Sequence, residues 1–135
     1  MELAKQWSVG LVVFILVDAV WLGLLANGFY KRELGPLLRQ DGNGNLDPRI
    51  LPAVLLYALI VLGLALFALP RTRSGTLGEA ALWCAAFGVI AYSVYDLTNY
   101  STMQGFPLKV VIVDMIWGGV VCAAAGAAMH AMNRG

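Results

Sequence analysis

The fold is decided by a stretch near the start of the chain, residues 7–26, which reads WSVGLVVFILVDAVWLGLLA. An apolar helix of about 20 residues reaches about 30 Å, the thickness of the hydrocarbon core of a bilayer. A cleaved signal peptide has a shorter apolar core of about 7–15 residues, and no clean cleavage site of small residues follows this stretch. We therefore expect a membrane-spanning helix here and not a signal peptide.

The composition of the whole chain agrees with this expectation. Hydrophobic residues make up 60% of the sequence and charged residues 13%, whereas an average soluble protein carries about 25% charged residues. Three more apolar stretches of spanning length follow, at residues 52–69, 77–99 and 108–132. Pro52 opens the first of these and Pro70 follows it, which are positions where helices tolerate proline.

Short connections favour antiparallel neighbouring helices. We therefore predict an all-α protein, an integral membrane four-helix bundle of up-down-up-down topology, forming a single membrane domain over residues 1–135. The one long connection, residues 28–51, mixes aromatic, leucine and basic residues, a composition typical of a segment at the membrane interface. We expect this segment to cover the entrance to any site beneath it.

Three aspartates lie inside the predicted spans: Asp18, Asp96 and Asp114. A carboxylate at the centre of a bilayer costs roughly 2.5–3.5 kcal/mol, and such residues usually mark a functional site. At a rise of 1.5 Å per residue, the three lie roughly 14, 5 and 9 Å below the same membrane face. We therefore predict one shared site in the half of the bilayer away from the termini.

Helical periodicity adds aromatic and amide side chains to this site. Tyr92, Tyr95 and Asn99 recur with Asp96 on one face of the third span, while Trp21 and Trp117 each follow an aspartate by three residues. On the first span the predicted stripe is Phe14, Asp18, Trp21 and Leu25. On the fourth span, the small residues Gly118, Cys122 and Gly126 predict a close helix approach. The second span offers only Tyr57, and we interpret it as scaffold.

The full set of candidate site residues supports three hypotheses. These residues are Asp18, Asp96, Asp114, Asn99, Trp21, Trp117, Tyr92 and Tyr95. The first hypothesis is binding or transport of a small molecule, cation or proton, for which four helices would require a homodimer. The second is an intramembrane enzyme acting on a lipid or isoprenoid, in which Asp18, Asp96, Asp114 and Asn99 would hold Mg²⁺. The third is a purely structural polar cluster.

The basic residues divide almost evenly between the two faces, so they give little orientation signal. Lys5, Arg71 and Arg73 favour cytoplasmic termini. We expect the lipid bilayer as a partner and no nucleic acid.

Four motifs resemble a known family. They are Asp-x-x-Trp-Leu at residues 18–22, Tyr-Asp-Leu-Thr-Asn at 95–99, Gly-Phe-Pro at 105–107 and Val-Asp-x-x-Trp-Gly at 113–118. Together they are similar to the bacterial membrane protein family catalogued as domain of unknown function 2177. The resemblance covers nearly the whole chain and implies a small multi-pass protein of the bacterial inner membrane. It implies no activity, substrate or cofactor.

Overall fold

The computed structural model of this protein describes residues 3–44 and 46–134. Five α-helices make up most of it: α1 (Leu3–Val20), α2 (Asn27–Leu34), α3 (Ile50–Gly63), α4 (Leu77–Thr102) and α5 (Leu108–Arg134). A π-helical turn at Trp21–Leu25 extends α1, and a second one at Leu64–Ala68, followed by a 3₁₀ turn at Leu69–Thr72, extends α3. No β-strand forms in the described part of the chain, where a single bridge pairs Gln40 with Leu46.

Four of these helical stretches are long and apolar enough to cross a membrane. Their bounds are Leu3–Leu25, Ile50–Thr72, Leu77–Thr102 and Leu108–Met132. The prediction of an all-α membrane protein with four long apolar helices is therefore confirmed. The first span begins four residues before the predicted stretch and ends one residue earlier, the second extends it at both ends, and the third extends it by three residues at its end.

The closest helix packing is between α4 and α5, where glycines allow the backbones to approach. A Cβ atom added at Gly88 would lie 2.1 Å from the carbonyl oxygen of Gly118, and one added at Gly126 would lie 2.2 Å from the Cys84 sulfur. Helix pairs in membranes commonly associate through small residues of this kind. The small residues that predicted a close approach on the fourth span, Gly118, Cys122 and Gly126, therefore lie in this interface.

The half of the bundle near the termini is filled by apolar side chains. Phe14, Val61, Leu64 and Met129 are fully buried there, in a cluster that draws on α1, on α3 with its extension, on α4 and on α5. Gly10 lets α1 approach this cluster, since a Cβ atom added there would lie 2.3 Å from the Met129 sulfur. The larger of the two buried apolar clusters therefore occupies one half of the bundle, and the polar residues predicted as a site occupy the other.

The π-helical turn at the end of α1 changes which residues face inward. The Ala26 N–H donates to the carbonyl oxygen of Trp21 over 2.7 Å, a bond across five residues in place of the usual four. This wider turn shifts the inward face by one position, so that Ala26 is 2% exposed and Leu25 is 71% exposed. The prediction that Leu25 continues the stripe of Asp18 and Trp21 was therefore wrong.

Candidate functional site

A cavity of about 300 Å³ lies in the half of the bundle away from the termini. It is lined by Asp18, Trp21, Leu22, Tyr30, Leu56, Tyr57, Ile60, Ala91, Tyr92, Tyr95, Asp114 and Trp117. All five helices contribute, and most of the walls are aromatic or aliphatic. We call this space the first cavity.

Asp18, on α1, is buried and accepts a hydrogen bond at each of its carboxyl oxygens. The Tyr57 hydroxyl on α3 donates to its Oδ2 atom, and the Trp117 indole N–H on α5 donates to its Oδ1 atom over 2.8 Å. Phe14 packs against the Tyr57 ring with centroids 5.1 Å apart, which holds the tyrosine against the carboxyl group. Two hydrogen bonds to one carboxyl group compensate part of the cost of burying it.

A second hydrogen-bond chain leads to Asp114. The Trp21 indole N–H donates to the Tyr30 hydroxyl over 3.2 Å, and this hydroxyl donates to Asp114 Oδ1 over 2.8 Å. The rings of Trp21 and Trp117 stack, with centroids 4.3 Å apart and planes 7° apart. Trp117 also donates to Asp18. The stacked pair therefore links the hydrogen bonds of Asp18 to those of Asp114.

Tyr30 brings α2 into the site. This residue lies outside the spanning helices and is 6% exposed, with Ala26, Phe106 and Val110 in the same buried cluster. Burial, and next the Asp114 carboxylate, raise the pKa of the Tyr30 hydroxyl above its ordinary value. The hydroxyl therefore keeps its proton at neutral pH and remains a donor to Asp114.

Asp96, on α4, lines a second cavity of about 320 Å³ and not the first. The lining residues are Leu22, Tyr30, Leu34, Leu37, Leu38, Arg39, Leu46, Pro48, Tyr95, Asp96, Phe106, Val110 and Asp114. The two cavities adjoin, because Leu22, Tyr30, Tyr95 and Asp114 line both. The single site predicted from the sequence therefore divides into two neighbouring cavities.

The side chain of Asp96 is completely buried. Neither of its carboxyl oxygens has a hydrogen-bond partner in the part of the chain that the structure describes. A buried polar group without a partner costs about 1–3 kcal/mol, and more when it is charged. Asp96 therefore differs from Asp18, whose two oxygens both accept hydrogen bonds.

The structure brings together most of the predicted site residues. Six of them line the first cavity: Asp18, Trp21, Tyr92, Tyr95, Asp114 and Trp117. Asp96 lines the second cavity. Asn99 lines neither cavity, since it lies one turn further along α4 towards the helix end.

The placement of the aspartates does not support the hypothesised magnesium site. Within residues 3–44 and 46–134, no group of three or more His, Cys, Asp or Glu side chains is arranged to hold a metal ion. Both oxygens of Asp18 already accept hydrogen bonds from Tyr57 and Trp117, and Asp96 lies in the other cavity.

Two hydrogen-bonding residues of the first cavity, Tyr30 and Tyr57, were missing from the predicted set. Tyr57 donates to Asp18, so the interpretation of the second span as scaffold was incomplete. The sequence did indicate a role for Tyr57, because it is a hydrogen-bonding side chain in an otherwise aliphatic stretch. Tyr30 lies in the segment expected to cover the site, and its role depends on the turn between α1 and α2, which periodicity does not reveal.

Comparison with known proteins agrees with these features of the fold. No curated protein and no solved structure matches the chain. A protein family described as predicted membrane protein (DUF2177) matches residues 3–131, which is nearly the whole sequence and confirms the resemblance noted from its motifs. The chain therefore belongs to the DUF2177 family of predicted membrane proteins.

Proposed function

We propose that this membrane protein binds a small organic cation in the first cavity, one with an aromatic or bulky apolar body and few N–H donors. The observation that carries the proposal is that Asp18 and Asp114 line one cavity whose remaining walls are largely aromatic. Among the described residues, no Lys or Arg lines this cavity. The site therefore offers negative charge and aromatic faces with no internal cation.

Aromatic rings attract cations through the negative charge of their faces, by about 0.5–2 kcal/mol each depending on desolvation. Trp21, Trp117, Tyr92 and Tyr95 supply such rings around the cavity. Asp18 already accepts two hydrogen bonds, so it attracts a ligand mainly through its charge. A quaternary ammonium ion suits this arrangement, because it carries positive charge without donors that would need new acceptors.

The packing of the bundle favours binding over passage across the membrane. The cavity occupies the half away from the termini, whereas the opposite half is closed by the tight contacts of Gly10 with Met129 and of Gly126 with Cys84. Transport would require this half to open, or a second copy to complete a path. The homodimer expected from the sequence would be needed for transport, whereas the proposed binding does not require it.

A binding experiment tests the proposal directly. The purified protein in detergent is titrated calorimetrically with benzyltrimethylammonium, an aromatic quaternary cation. We expect Asp18→Asn to weaken binding about tenfold or more, which corresponds to about 1.4 kcal/mol. Asp47→Asn is the matched control, because Asp47 is an exposed aspartate outside the four spans and outside both cavities.

A second variant separates loss of binding from loss of folding. Ala91 lines the first cavity without making a polar contact there, so Ala91→Leu should occupy part of its volume and weaken binding while the carboxyl groups remain. The proposal fails if the unmodified protein does not bind the cation. It also fails if both cavity variants bind as tightly as Asp47→Asn.

A further inference from the structure

We infer that the second cavity is a separate binding site for a primary alkylammonium ion, with the ammonium group at Asp96 and the alkyl chain against the leucine wall. The inference begins with Asp96, a residue that lines this cavity and whose side chain is fully buried. Neither of its oxygens meets a donor in the described chain. A ligand that brings its own N–H donors would supply what the protein leaves missing.

The chemistry of Asp96 selects a different cation from that of Asp18. Each oxygen of Asp18 already accepts one hydrogen bond, from Tyr57 and from Trp117, so a ligand there competes with donors that the protein supplies. Asp96 has free acceptor sites, and a primary ammonium group carries three N–H donors. Charge-assisted hydrogen bonds of this type are stronger than those between neutral groups. A quaternary cation cannot form them.

The walls of the second cavity suit an unbranched hydrocarbon chain. The leucines Leu34, Leu37 and Leu38 come from α2 and the turn that follows it. Phe106 lies just before α5, and Val110 lies in its first turn. The aromatic residues of the lining are Tyr30, Tyr95 and Phe106, and the charged ones are Arg39, Asp96 and Asp114. The rest of the lining is aliphatic and includes one proline. The site therefore combines a carboxyl group that lacks donors with an apolar channel.

Arg39 limits the number of positive charges that the ligand can carry. It is the one basic residue, in the part of the chain that the structure describes, that lines this cavity. Its side chain is exposed, and its Nε atom donates to the Asp47 carbonyl oxygen over 3.3 Å. A second ammonium group near this guanidinium would be repelled. The inferred ligand is therefore a monoamine and not a polyamine.

This site does not depend on the function proposed for the first cavity. Asp18, Tyr57 and Trp117 line the first cavity alone, whereas Asp96, Leu38 and Arg39 line the second alone. Asp114 and Tyr30 are shared, and their hydrogen bond lies at the boundary between the two spaces. Variants on either side can therefore test the two sites separately.

The experiment uses two ligands that differ only in their donors, n-hexylammonium and n-hexyltrimethylammonium. In calorimetric titrations of the purified protein, we expect the primary amine to bind at least about tenfold more tightly at this site, because only it can donate to Asp96. Asp96→Asn should remove most of that advantage. Glu79→Gln, which alters an exposed acidic residue near the start of α4 outside both cavities, is the matched control and should leave n-hexylammonium binding within about twofold.

Leu38→Trp provides a test that leaves every carboxyl group in place. The larger side chain should fill part of the second cavity and weaken n-hexylammonium binding, while benzyltrimethylammonium binding in the first cavity stays unchanged. The inference is overturned if n-hexylammonium does not bind. It is also overturned if the two hexyl ligands bind equally, or if Asp96→Asn and Leu38→Trp both bind as tightly as the unmodified protein.

Discussion

Trp21 and Trp117 stack face to face, with ring centroids 4.3 Å apart, and their indole N–H groups serve different carboxyl groups. Trp117 donates directly to Asp18, and Trp21 donates to the Tyr30 hydroxyl that in turn donates to Asp114. The stack thus joins α1 to α5 at the level of the first cavity. Displacing either ring would change the surroundings of both aspartates.

The stack gives the first prediction, which is spectroscopic. Two parallel indoles at this distance couple electronically, so Trp21→Phe and Trp117→Phe should each remove the same strong feature from the near-ultraviolet circular dichroism spectrum. Trp83→Phe is the control, because Trp83 lines neither cavity and packs against Arg71. A feature that survives in both variants, or disappears in the control, would contradict the stacked arrangement.

The second prediction concerns the hydrogen bond from Tyr30 to Asp114. Tyr30→Phe keeps the ring and removes the donor, which leaves Asp114 Oδ1 without this partner. Because Asp114 is half-buried and lines both cavities, we expect the free energy of unfolding in detergent to fall by about 0.5–1.5 kcal/mol, the usual net contribution of one hydrogen bond. Tyr100→Phe, at an exposed position near the end of α4, should change it by less than about 0.5 kcal/mol.

The third prediction follows from the raised pKa of the Tyr30 hydroxyl. An unperturbed tyrosine has a pKa of 10.0, and burial together with Asp114 raises that of Tyr30. Because its pKa is raised, the Tyr30 hydroxyl holds its proton more tightly in the folded state than in the unfolded state. The stability that the protonated hydroxyl contributes is therefore complete below pH 10.0 and is lost only at higher pH. Ultraviolet titration of the folded protein at pH 10.0 should therefore give the same tyrosinate absorbance for Tyr30→Phe and the unmodified chain. A lower absorbance for the variant would show that Tyr30 ionises normally.

Hydropathy was enough to predict the four spans, because no other arrangement buries so many apolar residues in so short a chain. The three aspartates were also informative from the sequence alone, since their cost in a bilayer implies an inward position. Helical periodicity then placed Tyr92 and Tyr95 with them. These inferences depend on local geometry, which the sequence encodes directly.

The remaining features depend on contacts between distant segments. The π-helical turn at Trp21–Leu25 moves Leu25 outward and Ala26 inward. No residue type in this stretch predicts a π-helical turn. Tyr57 reaches Asp18 from a different helix, and Tyr30 reaches Asp114 from a short interfacial one. The division into two cavities follows from these long-range contacts, so periodicity alone could not predict it.

The fourth prediction tests the packing of α4 against α5. A Cβ atom at Gly118 would lie 2.4 Å from the Tyr92 ring, so Gly118→Ala must push apart the helices or the ring. We expect a loss of about 1–3 kcal/mol in the free energy of unfolding, typical of overpacking. Gly23→Ala is the matched control, because nothing lies within 4 Å of the added atom. A control that destabilises as much as Gly118→Ala would contradict this account.

The last prediction concerns orientation, which decides from which side a ligand reaches the cavities. We propose that the protein lies in the bacterial inner membrane with cytoplasmic termini, as Lys5, Arg71 and Arg73 favour. Asn43 and Ser74 are exposed in connections on opposite faces. Asn43→Cys should therefore react with a membrane-impermeant maleimide added to intact spheroplasts, and Ser74→Cys should react only after the membrane is opened.

The native cysteines make this measurement clean, because Cys84 and Cys122 are fully buried and should not react in the folded protein. The unmodified chain is therefore the background control. The reverse labelling pattern would place the termini outside, and the two cavities would then lie in the cytoplasmic half of the bilayer. Labelling of both variants in intact spheroplasts would mean that the chain inserts in both orientations. With the expected pattern, an amine or quaternary cation reaches Asp96 or Asp18 from the outer face, on the side where α2 covers both cavities.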